Sequence, residues 1–138
     1  MPGIDECLLE AMTLPGARGA AVVDWISGLA LGTAGEAPNG CHETTAAETA
    51  ELARAAAEHT VFAAAGSAVG GGEYGGSDKS PPVEDVIVTT RTGYHLMTFV
   101  ATTFDSSVFI HLWLDGPEGN LALSRIRLRE MAERLVLL

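Results

Sequence analysis

VFIHLWLDGPEGNLALSRIRLREMAERLVL, residues 108–137, decides how this chain is read. Its first seven residues, Val108 to Leu114, form a strand. Val108, Ile110, Leu112 and Leu114 face one way, and Phe109, His111 and Trp113 the other, because successive strand side chains point to opposite faces. Both faces are bulky, so this strand is central and covered on both sides. Asp115-Gly116-Pro117-Glu118-Gly119 is a turn signal. Asn120 then opens a helix, since its side-chain oxygen can accept an orphan amide hydrogen of the first turn. Such an ending suits a small interaction domain better than an enzyme.

The final helix has two apolar stripes. Leu121, Leu128, Met131, Ala132 and Leu135 make one; Leu123, Ile126 and Leu137 lie nearly opposite. One stripe rests on the sheet, and the other needs the first helix or a partner. Glu130 with Arg134 and Arg129 with Glu133 have the i,i+4 spacing of helical ion pairs, each worth about 0.3–0.5 kcal/mol.

Upstream of the central strand lie two more, Val83 to Thr90 and Tyr94 to Thr102, with turns at Thr92-Gly93 and Asp105-Ser106. Near the start, Ile4, Cys7, Leu8, Ala11 and Met12 follow one helical face, and Pro15-Gly16 stops that helix. Ala20 to Ile26, a Ser27-Gly28 turn and Leu29 to Thr33 read as a hairpin. Between the hairpin and the last three strands is an alanine-rich helix, Thr44 to Ala65. Glu48, Glu51, Arg54 and Glu58 share one side; Leu52, Ala53, Ala56, Ala57, Val61 and Ala63 occupy a broad remainder. That arc is wider than the ~100° stripe of an ordinary surface helix, so the helix should touch both its own sheet and a second body. The elements imply an α/β (α+β) domain of three layers, an α-β-α sandwich on an antiparallel sheet.

The length of 138 residues fits one domain, 1–138, with a Gly-rich loop at 66–82, and 47% hydrophobic residues fit a globular protein. No apolar run approaches the ~18 residues of a membrane span, and MPGIDECLLE is acidic where a signal peptide is basic. A cytoplasmic location is expected. A net charge of −10 disfavours nucleic acid and anionic membrane as partners. Residues 1–66 hold nine acids against Arg18 and Arg54, whereas Arg125, Arg127, Arg129 and Arg134 crowd the last helix. That polarity serves either internal pairing or docking.

Chemistry-bearing motifs are weak. Cys7 reads as a small buried apolar residue. Cys41-His42-Glu43 lacks zinc-ligand spacing and reads as a loop entering a helix. Gly70-Gly71-Gly72-Glu73-Tyr74-Gly75 spells a dinucleotide fingerprint but follows a helix instead of a strand. Lys79-Ser80 resembles the end of a P-loop, but Asp78 replaces the glycine before the lysine, and Pro81-Pro82 forbids the helix that would hold phosphate. His42, His59, His95 and His111 are scattered, and His111 between Phe109 and Trp113 reads as a hydrogen-bonded core residue. No nucleophile elbow, HExxH or carboxylate pair occurs. No catalytic residue, cofactor or metal site is expected. The rival reading is a small-molecule sensor domain resembling PAS or GAF, against which the middle helix is too alanine-rich and long for a typical pocket lid.

The order is helix, hairpin, helix, three strands, helix. With LLEAMTLPGARGAAVVDWISGLALG (8–32) and VFIHLWLDGPEGNLALSRIRLREMAERL (108–135), it resembles the Roadblock/dynein light chain family. Asn120, Leu121, Ala122 and Arg125 carry that family's N-L-A-x-x-R pattern. The Gly66–Pro82 loop is longer than the family usually has. The resemblance implies a profilin-like topology with strand order 2-1-5-4-3. The first and last helices would lie on one face and the middle helix on the other. It implies a non-catalytic homodimer whose middle helices pack together and whose third strands pair. The interface would then use Leu52, Ala53, Ala56, Ala63, Val86 and Val88. Bacterial members regulate or scaffold small Ras-like GTPases, sometimes beside a sensor-kinase-like protein, so those are the implied partners. Arg127 and Arg134 are the candidate partner contacts, with pairing to Asp5, Glu6 or Glu10 as the internal alternative.

Overall fold

The structure is a computed structural model that describes residues 3–63, 82–101 and 107–135. In chain order it contains α1 (Ile4–Ala11), β1 (Ala17–Asp24), β2 (Leu29–Gly35), α2 (His42–Glu58), a 3-10 turn (Thr60–Phe62), β3 (Asp85–Thr89), β4 (Gly93–Val100), β5 (Val108–Asp115) and α3 (Leu121–Arg134). The five strands form one antiparallel sheet in the order β2-β1-β5-β4-β3. This is the expected three-layer α/β architecture.

The period-two pattern of β5 separates two cores. Val108, Ile110, Leu112 and Leu114 join Cys7, Leu8 and Ala11 of α1 and Leu128, Met131 and Ala132 of α3. On the opposite face, Phe109 joins Ala46, Ala50 and Ala53 of α2, with Met97 and Phe99 of β4. Ile110, Leu112 and Leu114 have no exposed surface, so each contributes about 1.5–3 kcal/mol of burial. α1 and α3 therefore cover one face. α2 covers the other, resting mainly on β1 and β2.

Local chemistry sets the element ends. The Asn120 side chain accepts a hydrogen bond from the Leu123 amide at 3.0 Å, as an N-cap should. Glu6 reaches back to the Gly3 amide at 3.2 Å and so steadies the start of α1. Gly16 has φ 78°, and a Cβ there would lie 2.5 Å from the Gly119 amide nitrogen. Only glycine satisfies both demands, where the α1–β1 and β5–α3 turns meet.

Several boundaries differ from the sequence reading. α2 ends at Glu58, because His59 is extended (ψ 127°) and the 3-10 turn follows. The β-branched Thr60 and Val61 weaken helix continuation. Ala63 therefore lies beyond the helix. β1 stops at Asp24, whose carboxylate accepts from the Ile26 amide at 2.9 Å and turns the chain early. β3 begins at Asp85, two residues later than expected. Residues 64–81, with the failed nucleotide motifs and most of the Gly66–Pro82 loop, lie outside the described residues. So do Thr102, the Asp105-Ser106 turn and Leu137.

Candidate interaction surface

The outer side of α2, the 3-10 turn after it and the outer edge of β3 hold much of the exposed apolar surface. Leu52 is 43% exposed, Val61 77%, Phe62 52% and Ile87 37%. Ala56 is partly exposed. Ala53, by contrast, is fully enclosed against the sheet, so the protomer's own core removes it from any contact with a second body. Helical spacing explains the difference: residues 46, 50 and 53 share the stripe that meets the sheet, and residue 52 is turned away from it. Val86 and Val88 pack on the α2 side of the sheet and are only partly buried. Ile87 is register partner to Leu96, so it lies on the α1–α3 side. The expected interface named Val86 and Val88 and not Ile87, which alternation puts on the opposite face of the strand.

The arginines of α3 are engaged by other elements. Arg125 binds Asp85 at 2.7 Å, and Arg129 binds Glu84 at 2.8 Å. Arg134 binds Glu10 of α1 at 2.9 Å, the internal alternative. The i,i+4 side-chain pairs expected along α3 do not form among the described residues, because Glu84, just before β3, takes Arg129 and Glu10 of α1 takes Arg134. Such pairs contribute about 0–1 kcal/mol each at a surface. The Asp85 side chain is only 12% exposed, and that carboxylate holds the Arg125 guanidinium further into its charged form by hydrogen bonding and charge. Arg127 keeps a short-range pair with Glu130 at 3.5 Å and remains open to solvent, beside exposed Ile126. Arg91, in the β3–β4 turn, is the one arginine without an ion pair among the described residues.

The histidines do not converge into a catalytic group. His111 is 2% exposed, and its Nε2 shares a hydrogen bond with His95 Nδ1 at 3.0 Å. One ring donates and the other accepts. Burial, then the neighbouring His95 and His42 charges, push the His111 pKa down to about 3. Burial also lowers that of His95. His42 lies in the first turn of α2 and contacts the Gly35 carbonyl oxygen. Cys41 is the exposed residue before α2, and hydrogen bonds from the Thr44 hydroxyl and amide favour its thiolate. Cys7 is buried, and desolvation together with Glu10 raises its thiol pKa to about 11, against the opposing pull of Arg134. Among the described residues no group of three or more His, Cys, Asp or Glu could hold a metal ion. The groove beneath α2, lined by Asn39, Thr45, Glu48, Thr49, His95 and His111, measures about 210 Å³. That is below the ~300–1,000 Å³ of most small-molecule pockets.

No family profile matches the sequence, and no curated protein is similar to it. Solved structures are. MglB of Myxococcus xanthus superposes with a TM-score of 0.67 at 18% identity, over 94% of this chain and 82% of that one. A Roadblock/LC7 domain from Streptomyces avermitilis gives 0.68 at 13% identity, over 96% and 94%. The gliding protein MglB of Thermus thermophilus gives 0.64 at 18% identity, over 95% and 86%. Strand order, helix placement and near-complete overlap agree: this chain has the Roadblock/LC7 fold.

Proposed function

We propose that this protein is a non-catalytic, cytoplasmic bacterial module that homodimerises and, as a dimer, regulates or scaffolds a small Ras-like GTPase. The observation that carries the reading is the joint exposure of the outer α2 side and the β3 edge on this fold. Leu52 and Ala56 on α2, Val61 and Phe62 just after it, and Ile87 on the other face of β3 offer apolar area, and an unpaired strand edge invites pairing. A second copy would cover both with one interface. Arg127 and Ile126 on the open side of α3 are then the candidate GTPase contacts, since Arg134 is held by Glu10.

Light scattering of the purified protein should give twice the chain mass at micromolar concentration. Calorimetry with a small Ras-like GTPase, loaded with GDP or a GTP analogue, should show saturable binding. Arg127→Glu should weaken that binding with an unchanged melting temperature. Saturable GTP binding by the isolated chain would contradict the proposal.

A further inference from the structure

The groove beneath α2 is too small for most ligands, but a larger cleft lies on the other face of the sheet. It opens between the second half of α3 and the end of β4, and it measures about 400 Å³. That falls within the ~300–1,000 Å³ of small-molecule pockets. Thr98 lines its floor. Strand alternation turns this side chain toward α3, since Leu96 and Val100, two residues away on either side, join the α1–α3 core. Thr98 is 4% exposed, and its hydroxyl has no hydrogen-bond partner among the described residues. Asp85 stands opposite it across the β3–β4 ladder, but that carboxylate is bound to Arg125. A buried hydroxyl is normally hydrogen-bonded, so this one calls for a partner. Rotation of the Thr98 side chain between staggered wells presents its oxygen to the cleft.

The rest of the lining is apolar at the sides and charged at the mouth. Pro82, Ala101 and Ala132 supply the apolar part. Glu84 and Arg129 both line the cleft and pair with each other at 2.8 Å. Glu133 follows Arg129 by one helical turn, also lines the cleft, and has no ion pair among the described residues. Two carboxylates against one guanidinium leave the mouth net negative, on a chain whose net charge is −10. An anion would be repelled there. A cation gains Glu133 as a partner without displacing Arg129 from Glu84.

We propose that this cleft binds a small organic cation, a primary amine with an apolar body and a hydroxyl at its far end. The ammonium pairs with Glu133, the body lies against Pro82, Ala101 and Ala132, and the hydroxyl bonds to Thr98. The site lies within one protomer, so it needs neither the homodimer nor the GTPase.

Titration of the whole chain, followed by amide NMR and calorimetry, tests this with three matched probes. Tyramine carries ammonium, ring and hydroxyl; phenethylamine lacks the hydroxyl; 4-ethylphenol lacks the ammonium. Tyramine should bind saturably with a dissociation constant of about 1 mM or tighter, and the shifted amides should centre on Thr98, Ala101 and Ala132. Phenethylamine and 4-ethylphenol should each bind about threefold more weakly or worse. Thr98→Val removes a buried unpaired hydroxyl at nearly constant shape. It should keep the melting temperature, weaken tyramine about fivefold and leave phenethylamine unchanged. Glu133→Gln alters an exposed side chain; it should weaken both amines about threefold and spare 4-ethylphenol. Absence of saturable tyramine binding up to about 10 mM overturns the proposal. So do shifts centred on the groove beneath α2, tyramine binding that neither substitution changes, or equal affinity for all three probes.

Discussion

At one edge of the sheet β2 runs seven residues, with its ladder to β1 broken by an irregularity between Val22 and Val23; at the other, β3 runs five residues in unbroken register with β4. Both edges expose apolar side chains, Leu29 at 65% and Leu31 at 46% on β2 against Ile87 on β3. Exposure alone therefore does not identify an interface. Regularity does more: a bulge adds twist and misaligns the outward amides, which discourages a further strand. α1 also lies close over β2, since a Cβ on Gly32 would come within 2.6 Å of the Ile4 side chain. β3 carries no bulge. Ion pairs from α3 hold Asp85, its first residue, and Glu84 just before it, without covering its edge. The lesson is that this sheet closes one side by distortion and leaves the other straight.

The comparison breaks most completely if both edges lose their common support. Leu112 of β5 is fully buried, with β1 on one side and β4 on the other. Leu112→Ala should cost about 2–5 kcal/mol. Urea unfolding should show a lower midpoint with an unchanged slope, since β2 and β3 should unfold together. Separate transitions for the two halves would contradict a single cooperative sheet.

Acid should act next, through the histidine pair between β4 and β5. The folded-state pKa values of His111 and His95 are lowered, so the unfolded chain takes up protons that the fold refuses. Their contribution is intact above the unfolded pKa near 6.5 and is lost as pH falls from there toward about 3. Thermal unfolding across that window should show a falling midpoint. His111→Leu should flatten this acid limb; equal steepness in the variant would assign the limb to other groups.

The smallest effect separates the edges themselves. Ile87→Lys should weaken the proposed homodimer by about 1–2 kcal/mol through a desolvated charge and lost apolar contact. Leu31→Lys should change both stability and assembly by less than about 0.5 kcal/mol, as an exposed substitution on a bulged edge. Sedimentation equilibrium on the two variants checks this, and equal weakening by both would mean that β2 also serves an interface.

Much of the architecture was legible because β5 and α3 declare themselves locally. A strand with two bulky faces must be central, and Asn120 after a Gly-Pro turn must open a helix. The internal role of His111 was legible for the same reason. Arg134 could be placed only as an alternative, because a surface arginine has several acids within reach of its long side chain. The end of α2 was misjudged because alanine-rich composition masks a stop made by His59 and two β-branched residues. Ala53 and Ala56 have the same side chain, three positions apart. Nothing in their chemistry says that one is enclosed in the core on that face of the sheet while the other stays partly open.

Periodicity, turn residues and capping chemistry by themselves determined the number, kind and order of most elements, since each depends on neighbours within a few residues. The tertiary structure decided which arginines met which acids and which amides of β3 face outward. These depend on strand order and registration between distant segments. Asp85 comes beside Thr98 and Arg125, and His95 beside His111, only after the chain has closed.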